Sequence, residues 1–323
     1  MQAGANPFAS DGVWLKAALH SHTLESDGDL APAAHAAHYE WAGFDVLAII
    51  DHWKITRLPS TEHLLMVTGA ELAVDPIAPG RFSEVIAIGI DALPEDPGGD
   101  RRHWEPIDNY EFQTFPDYAA AAAYITGQGG VTYYAHPYWS SLTPEILLAP
   151  DGMTGLEVFN SGAQRDGGRG DSSYLLDLAL EAGKPLFGIA TDDAHYPLFD
   201  IGDAWTMIRA AKRSPEAVVA SLAAGLTYAS TGPVIHDLRR DGAIVEAHTS
   251  PCASIILQSG FELGWAVRAD HRSRQDHTRI LERSDDGLVV RARFDVSGAD
   301  ADVPYMRLLA TDAQGRNAWA NPI

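Results

Sequence analysis

The chain predicts an α/β fold with a mainly parallel sheet, followed by a smaller β-rich part. Two observations lead there. Up to about residue 230, short apolar runs alternate with helix-like stretches, which is how strands joined through helical crossovers read. From about Gly232 helical periodicity fades, and β-rich pieces separated by turn dipeptides take over. With 323 residues and 46% apolar content, the chain has material for one large core and one small one. The expected division is 1–230 and 231–323.

Candidate strands lie at 15–20, 45–51, 65–71, 84–90, 131–136, 155–160 and 186–191, with a further one at 205–208. Helix-like segments fall between them at 31–41, 116–126, 172–182 and 215–224. The last is punctuated at both ends, with Ser214 as N-cap, Pro215 at the first helical position and Gly225 just beyond the end. Seven or eight such units suggest a barrel, in which function collects at the C-terminal ends of strands. Residues 91–116 hold four prolines and no periodicity, and read as a long loop over the site. In the second part, strands are expected at 253–257, 265–269, 288–296 and 305–309. Turn signals at Asp241-Gly242, Asp286-Gly287 and Gln314-Gly315 separate or flank them. This texture suggests a small antiparallel β-sandwich.

Charge and cysteine content narrow the chemistry. A net charge of −21 argues against a surface that holds a nucleic-acid backbone through Lys and Arg. Small phosphorylated substrates stay open, because bound divalent metals make a pocket locally positive. The single Cys252 excludes an intrachain disulfide framework and a thiolate metal cluster. No charged-then-apolar leader opens the chain, and no apolar run approaches the roughly 18 residues of a membrane span. A cytoplasmic protein with no membrane association is the expectation; the oligomeric state is not legible.

His20 and His22 stand one residue apart at the end of the first candidate strand. Strand side chains alternate between faces, so both imidazoles point the same way. Asp193 and His195 repeat that spacing after the apolar run 186–190. Asp27 lies in the loop leaving the first strand, His52 closes the second, Glu71 the third and His136 the fifth. Asp51 points away from His52, and Asp192 reads as a hydrogen-bond partner outside the ligand set. Imidazole and carboxylate without thiolate suit Zn²⁺, Mn²⁺ or Fe²⁺ in an open site. Eight donors are too many for one ion and suit two or three. His35 and His38, three apart on the first helix, read as packing or exposed residues.

The ordered set His20-x-His22, Ser26-Asp27-Gly28, Asp51-His52, Gly69-x-Glu71, His136-Pro137 and Asp192-Asp193-Ala194-His195 resembles the PHP (polymerase and histidinol phosphatase) family of metal-dependent phosphoesterases. The resemblance covers roughly residues 15–230. Thr231-Gly232-Pro233 and the closing Ala318-Trp319-Ala320-Asn321-Pro322 look like its two-domain members. The resemblance implies a distorted (β/α)7 barrel holding two or three divalent ions, with His20, His22, Glu71 and Asp193 on one. It implies Glu71 and His136 on a second, and Asp27, His52 and His195 on a third. One departure stands out: Glu84 occupies the place of a His that family members often carry, either replacing that ligand or weakening the second site.

The implied activity is hydrolysis of a phosphate ester of a small molecule or nucleotide through a metal-activated hydroxide. His195, Asp193 and Lys54 are the catalytic candidates. Lys54, Asn160, Arg165 and Arg169 are candidates for substrate contact, the two arginines lying in a glycine-rich loop at 162–170. Two alternatives share the fold: a metal-dependent amide or ester hydrolase, and an inactive binding protein.

Overall fold

Apolar runs in the first part become short strands, and the alanine- and leucine-rich stretches between them become helices. The chain begins with β1 (Val13–Ala18), α1 (Pro32–Trp41), β2 (Val46–Ala48), β3 (Leu65–Val67), β4 (Gly69–Ala73) and β5 (Glu84–Ile88). It continues with α2 (Tyr118–Thr126), β6 (Val131–Tyr134), α3 (Pro144–Leu148), β7 (Gly155–Asn160), α4 (Ser161–Gly167) and α5 (Ser173–Glu181). Then come β8 (Phe187–Thr191), α6 (Pro197–Asp200), β9 (Trp205–Ala210), α7 (Pro215–Ala223) and β10 (Thr227–Ser230). The structure is a computed structural model that describes residues 6–75, 83–94, 114–260, 263–270, 277–298 and 303–323. Most of the loop expected over 91–116 lies outside the described residues.

Caps fix where the helices begin. Asp117 accepts from Ala120 N at 2.7 Å at the head of α2, and Ser214 accepts from Ala217 N at 3.3 Å at the head of α7. Gly225, just past α7, takes φ +66°, a left-handed turn that costs glycine nothing. The glycine-rich stretch 162–170 is not the loop expected. Asn160 accepts from Ala163 N at 2.8 Å and starts α4 there, and Gly168 at φ +67° ends it. Local capping overrides the poor helix propensity of its glycines.

Two sheets carry this part. One runs β3-β2-β1-β9-β10 and continues beyond, and the other runs β4-β5-β6-β7-β8. Pairs β1–β2, β2–β3, β6–β7 and β7–β8 are parallel, whereas β1–β9, β9–β10, β4–β5 and β5–β6 are antiparallel. The sheet expected to be mainly parallel is therefore mixed. One cause is chain length: only ten residues separate Ala73 from Glu84, fewer than a crossover through a helix takes. The predicted strand 65–71 is broken at Thr68, whose carbonyl accepts from Gly89 N at 2.7 Å. At the far side β8 meets β9 through the Thr206 hydroxyl, which bonds both the N–H and the carbonyl of Ala190 at 3.0 and 2.9 Å.

The rest of the described chain is β: β11 (Ile235–Asp241), β12 (Ile244–Cys252), β13 (Ser254–Ser259), β14 (Gly264–Arg268), β15 (Thr278–Arg283), β16 (Val289–Asp295), β17 (Met306–Thr311) and β18 (Asn317–Ala320). Strands β10, β11, β12, β15 and β18 were not expected from the sequence. They alternate charged with apolar residues or are very short, so their apolar signal is thin. Strands β11-β12-β16-β15 form one antiparallel layer. Strands β14-β13-β17-β18 form the other and join β10, so a nine-stranded sheet links the two parts of the chain. Leu238, Val245, Phe294, Ile255, Leu257 and Leu308 pack between the layers.

Polar bonds tie the β-rich part to the first part. Asn321 accepts from Gly188 N at 2.7 Å and donates to the carbonyl and hydroxyl of Thr227. Arg307 is fully buried and makes a two-pronged pair with Asp177 of α5 at 2.6 and 2.7 Å, while the Tyr305 hydroxyl donates to the same carboxylate at 2.8 Å. Among the described residues, no helix is long and apolar enough to cross a membrane. Removing one partner of a buried pair leaves the other uncompensated. Asp177→Ala is expected to cost about 3–5 kcal/mol in denaturant unfolding. The double variant Asp177→Leu/Arg307→Met should recover most of that loss.

Candidate metal centre

One edge of the two sheets collects the titratable side chains. Beyond β1 the chain stays extended: His22 N donates to Ala194 O at 2.9 Å and Asp193 N to His20 O at 3.0 Å. That pairing sets His20 and His22 on one face, as their spacing requires. His52 follows β2 and bridges to Glu71 in β4. Glu84 opens β5, but β5 runs antiparallel to β4 and β6, so its start lies where they end, with Ala135 N donating to Glu84 O at 3.2 Å. His136 follows β6, and Asp193 and His195 follow β8. The turns are sharp. Trp53, His136 and Asp193 have φ of +50°, +29° and +52°, a region side chains seldom occupy and one that clusters at functional sites.

Two imidazole nitrogens and two carboxylate oxygens come together here, His20, His22 and Glu71 within one group that could hold an ion. His20 Nε2 and His22 Nε2 are 3.1 Å apart; Glu71 Oε2 lies 3.2 and 3.3 Å from them, and Asp193 Oδ1 likewise 3.2 and 3.3 Å. Bonds of about 2.0–2.1 Å to a tetrahedral ion separate its donors by roughly 3.3–3.4 Å, so the His20, His22 and Glu71 atoms have the spacing of one cation's donors, with Asp193 Oδ1 in reach of both imidazoles. Asp193 Oδ1 and Glu71 Oε1 are buried and accept no hydrogen bond. Buried carboxylate oxygens without donors are costly, and a cation removes that cost.

Two further groups adjoin this cluster. Glu71 Oε1 and Glu84 Oε2 each lie 3.4 Å from His136 Nε2, so Glu71 turns one oxygen to each group. Asp27 Oδ2 lies 2.9 Å from His195 Nε2 and 3.7 Å from His52 Nε2. His52 also turns Nδ1 to Glu71 and Glu84, at 3.4 and 3.6 Å. A neutral imidazole has one lone-pair nitrogen, so His52 serves one of these groups at a time. All nine metal candidates, His20, His22, Asp27, His52, Glu71, Glu84, His136, Asp193 and His195, thus meet at one edge.

The outward ring atoms say which nitrogen faces inward. His195 Nδ1 lies 3.0 Å from its acceptor Asp193 O, His136 Nδ1 2.9 Å from Ser140 Oγ, and His20 Nδ1 2.8 Å from Glu157 Oε1. With Nδ1 engaged, Nε2 of each ring points at the carboxylates. Electrostatics agrees. Burial works against charge on the imidazoles, yet the carboxylates raise His20 and His136 well above the ordinary value, His52 to about 10 and His195 to about 9. Burial also opposes charge on Glu71, Asp193 and Asp27, but the surrounding imidazoles hold all three below the usual carboxylate range.

The residues around the ligands are tied down. Asp51 accepts from Thr23 N at 2.7 Å, Thr23 Oγ1 at 2.8 Å and Ser26 Oγ at 2.8 Å, and so shapes the loop that delivers Asp27. Asp192 accepts from the N–H groups of Gly202, Asp203 and Ala204, and burial pushes its carboxyl up to about 6. Of the four expected substrate contacts, Asn160 is spent within the protein: besides capping α4 it donates to Glu157 at 2.8 Å and to Asp193 at 3.1 Å. Lys54 pairs with Glu25 at the surface. Arg165 pairs with Asp200 at 3.0 Å and with Asp203, and Asp200 accepts from His195 N at 3.2 Å. Arg169 donates to Ser141 at 3.3 Å and lies over the Tyr138 ring.

Glu157 escaped the sequence reading. The available signal was a carboxylate inside the apolar strand β7, since buried strand charges almost always have partners. His35 is buried with neither ring nitrogen bonded, and burial lowers it to about 4; His38 is half-buried on the same helix.

No protein-family model and no curated protein matches the chain. Among solved structures, it is similar over its full length to a two-domain protein of Bacteroides vulgatus containing a predicted PHP-like metal-dependent phosphoesterase. That likeness has 16% identity, a TM-score of 0.47 and 98% of the other chain covered. It is also similar to an amidohydrolase of Chromobacterium violaceum solved with sulfate, at 18% identity and a TM-score of 0.42, over 58% of this chain and 89% of that one. Likenesses this distant carry no activity across.

Proposed function

We propose that this chain is a metal-dependent phosphoesterase hydrolysing a phosphate ester of a small molecule or nucleotide. The observation that carries the metal is the cluster of His20, His22 and Glu71 with Asp193 beside it, together with two buried carboxylate oxygens, Glu71 Oε1 and Asp193 Oδ1, that accept no hydrogen bond. His20, His22, Glu71 and Asp193 would hold one ion, Glu71, Glu84 and His136 a second, and Asp27, His52 and His195 a third, with Zn²⁺, Mn²⁺ and Fe²⁺ the fitting ions. The phosphate is supported by the order of the motifs. A distorted (β/α)7 barrel over 1–230 is supported by the Thr68 joint between β3 and β4 and by the Thr206 contact of β8 with β9. The two antiparallel layers after it support a β-sandwich domain over 231–323.

Bound divalent ions supply Lewis acidity to phosphoryl oxygens and lower the pKa of coordinated water. The protein does the rest. Glu71 and Asp193 hold the inner imidazoles in register, and Asn160 steadies Asp193. Lys54 and the arginines offset charge that develops on the phosphoryl group. His195 is among the more exposed donors, with 28% of its side chain open, and would hand a proton to the departing oxygen when the third group holds no ion, since an ion on Nε2 takes that proton's place. The expected partner is a small phosphorylated molecule, without stable nucleic-acid or membrane binding.

The decisive test is turnover of phosphomonoesters, phosphodiesters and cyclic phosphates by chelator-stripped protein reloaded with each of the three metals. At least one ester should turn over, and His20→Ala should lower kcat/KM by at least about 100-fold. Turnover of amides or carboxylic esters with none on phosphates would replace this reading with the amide/ester hydrolase.

Metal loading should also release protons. His52 and His195 titrate at about 10 and about 9 in the metal-free chain, so both carry protons near neutral pH, and an ion must displace them. Apparent affinity should therefore rise with pH, by up to about tenfold per unit for each proton released. Titration calorimetry in buffers of different ionisation heat measures the count; heats independent of buffer would contradict it.

A further inference from the structure

Glu157 is fully buried in the middle of β7 and is not one of the metal donors. Four groups converge on its carboxylate. His20 Nδ1 lies 2.8 Å from Oε1, and the Thr191 hydroxyl donates to the same oxygen. His136 N donates to Oε2 at 2.6 Å, and Asn160 Nδ2 at 2.8 Å. These partners sit beyond β1, at the end of β8, beyond β6 and at the end of β7, so one carboxylate joins four neighbouring strand ends.

We infer that Glu157 is a positioning residue that fixes the His20 tautomer and holds the turn at His136, and thereby sets the metal affinity of the inner cluster. The inference rests on the metal-centre reading of the preceding subsection. Carboxylate oxygens accept and do not donate, so His20 keeps its hydrogen on Nδ1. When an ion displaces the hydrogen on the other nitrogen, Nε2 presents its lone pair to the place shared with His22, Glu71 and Asp193. The backbone N–H of His136 belongs to a residue at φ +29°, and the bond to Oε2 holds that strained turn in place.

An amide in place of the carboxylate reverses one half of this arrangement. His136 N–H and the Asn160 amide can only donate, so Glu157→Gln must turn its oxygen to them. The Gln NH₂ then faces His20 Nδ1, which has to accept, and the ring hydrogen moves to Nε2. The Thr191 hydroxyl adapts, because it can do either. The shape is kept, while the inner nitrogen loses the lone pair that a cation needs.

The test uses the full chain and zinc alone. Nitrogen-15 NMR of the zinc-loaded wild type should show His20 protonated at Nδ1 and bound through Nε2; zinc on Nδ1 would overturn the inference without any variant. Glu157→Gln should keep the wild-type circular dichroism, lose the His20 Nδ1–H signal and bind zinc about 10–100-fold more weakly. His20→Ala combined with Glu157→Gln should bind no more weakly than His20→Ala alone. Wild-type zinc affinity in a folded Glu157→Gln chain would refute the role. None of these readouts involves a substrate, so failure to hydrolyse phosphate esters and failure of Glu157 are separable.

Discussion

Everything at the strand ends depends on neutralising carboxylates that the fold has taken out of water. Glu71, Glu157 and Asp192 are buried, and Asp193 nearly so. An isolated ionised carboxyl in such a place is costly enough to unfold a domain of ordinary stability. The chain meets the cost in two ways. Glu157 and Asp192 are surrounded by N–H and O–H donors and are settled as they stand. Glu71 and Asp193 face imidazole nitrogens instead, each keeping an oxygen with no hydrogen bond. That difference separates the candidate donors from the groups that hold them.

The strained turns follow from the same constraint. To aim side chains from consecutive strand ends at one small volume, the backbone must bend sharply just past the last sheet hydrogen bond. Trp53, His136 and Asp193 take that bend at positive φ, and two of the three are ligand candidates. Backbone bonds to neighbouring strands hold the bends: Trp53 N to Glu71 O, His136 N to Glu157, and Asp193 N to His20 O. Conformational cost is thereby distributed over the sheet and not borne by the loops.

Much of the donor set was legible because its signals are local. His20 with His22, and Asp193 with His195, declare themselves by period-two spacing, and the strand runs before them are short and apolar. Ser214, Pro215 and Gly225 mark α7 within a dozen positions. What stayed hidden acts at long range. Glu157 meets His20 across 137 residues, and Arg307 meets Asp177 across 130; no window of sequence contains both partners. Strand direction was equally opaque, since the apolar run of β5 reads the same whichever way it pairs. Asn160 sits at the strand end that its position suggested and its amide donates to Asp193, while helix α4, unforeseen because of its glycines, claims its side-chain carbonyl.

The stitching of β18 between β17 and β10 has a bearing on how the protein is made. Strand β8, which leads into Asp193, receives one of its backbone bonds from Asn321, a residue 133 positions downstream. On a ribosome the first part of the chain therefore emerges with an open seam, and β10 waits for its neighbour until residues 317–320 appear. The edge that carries the candidate donors reaches its final stiffness late in synthesis, so the nascent chain passes through a stage in which they are loosely held.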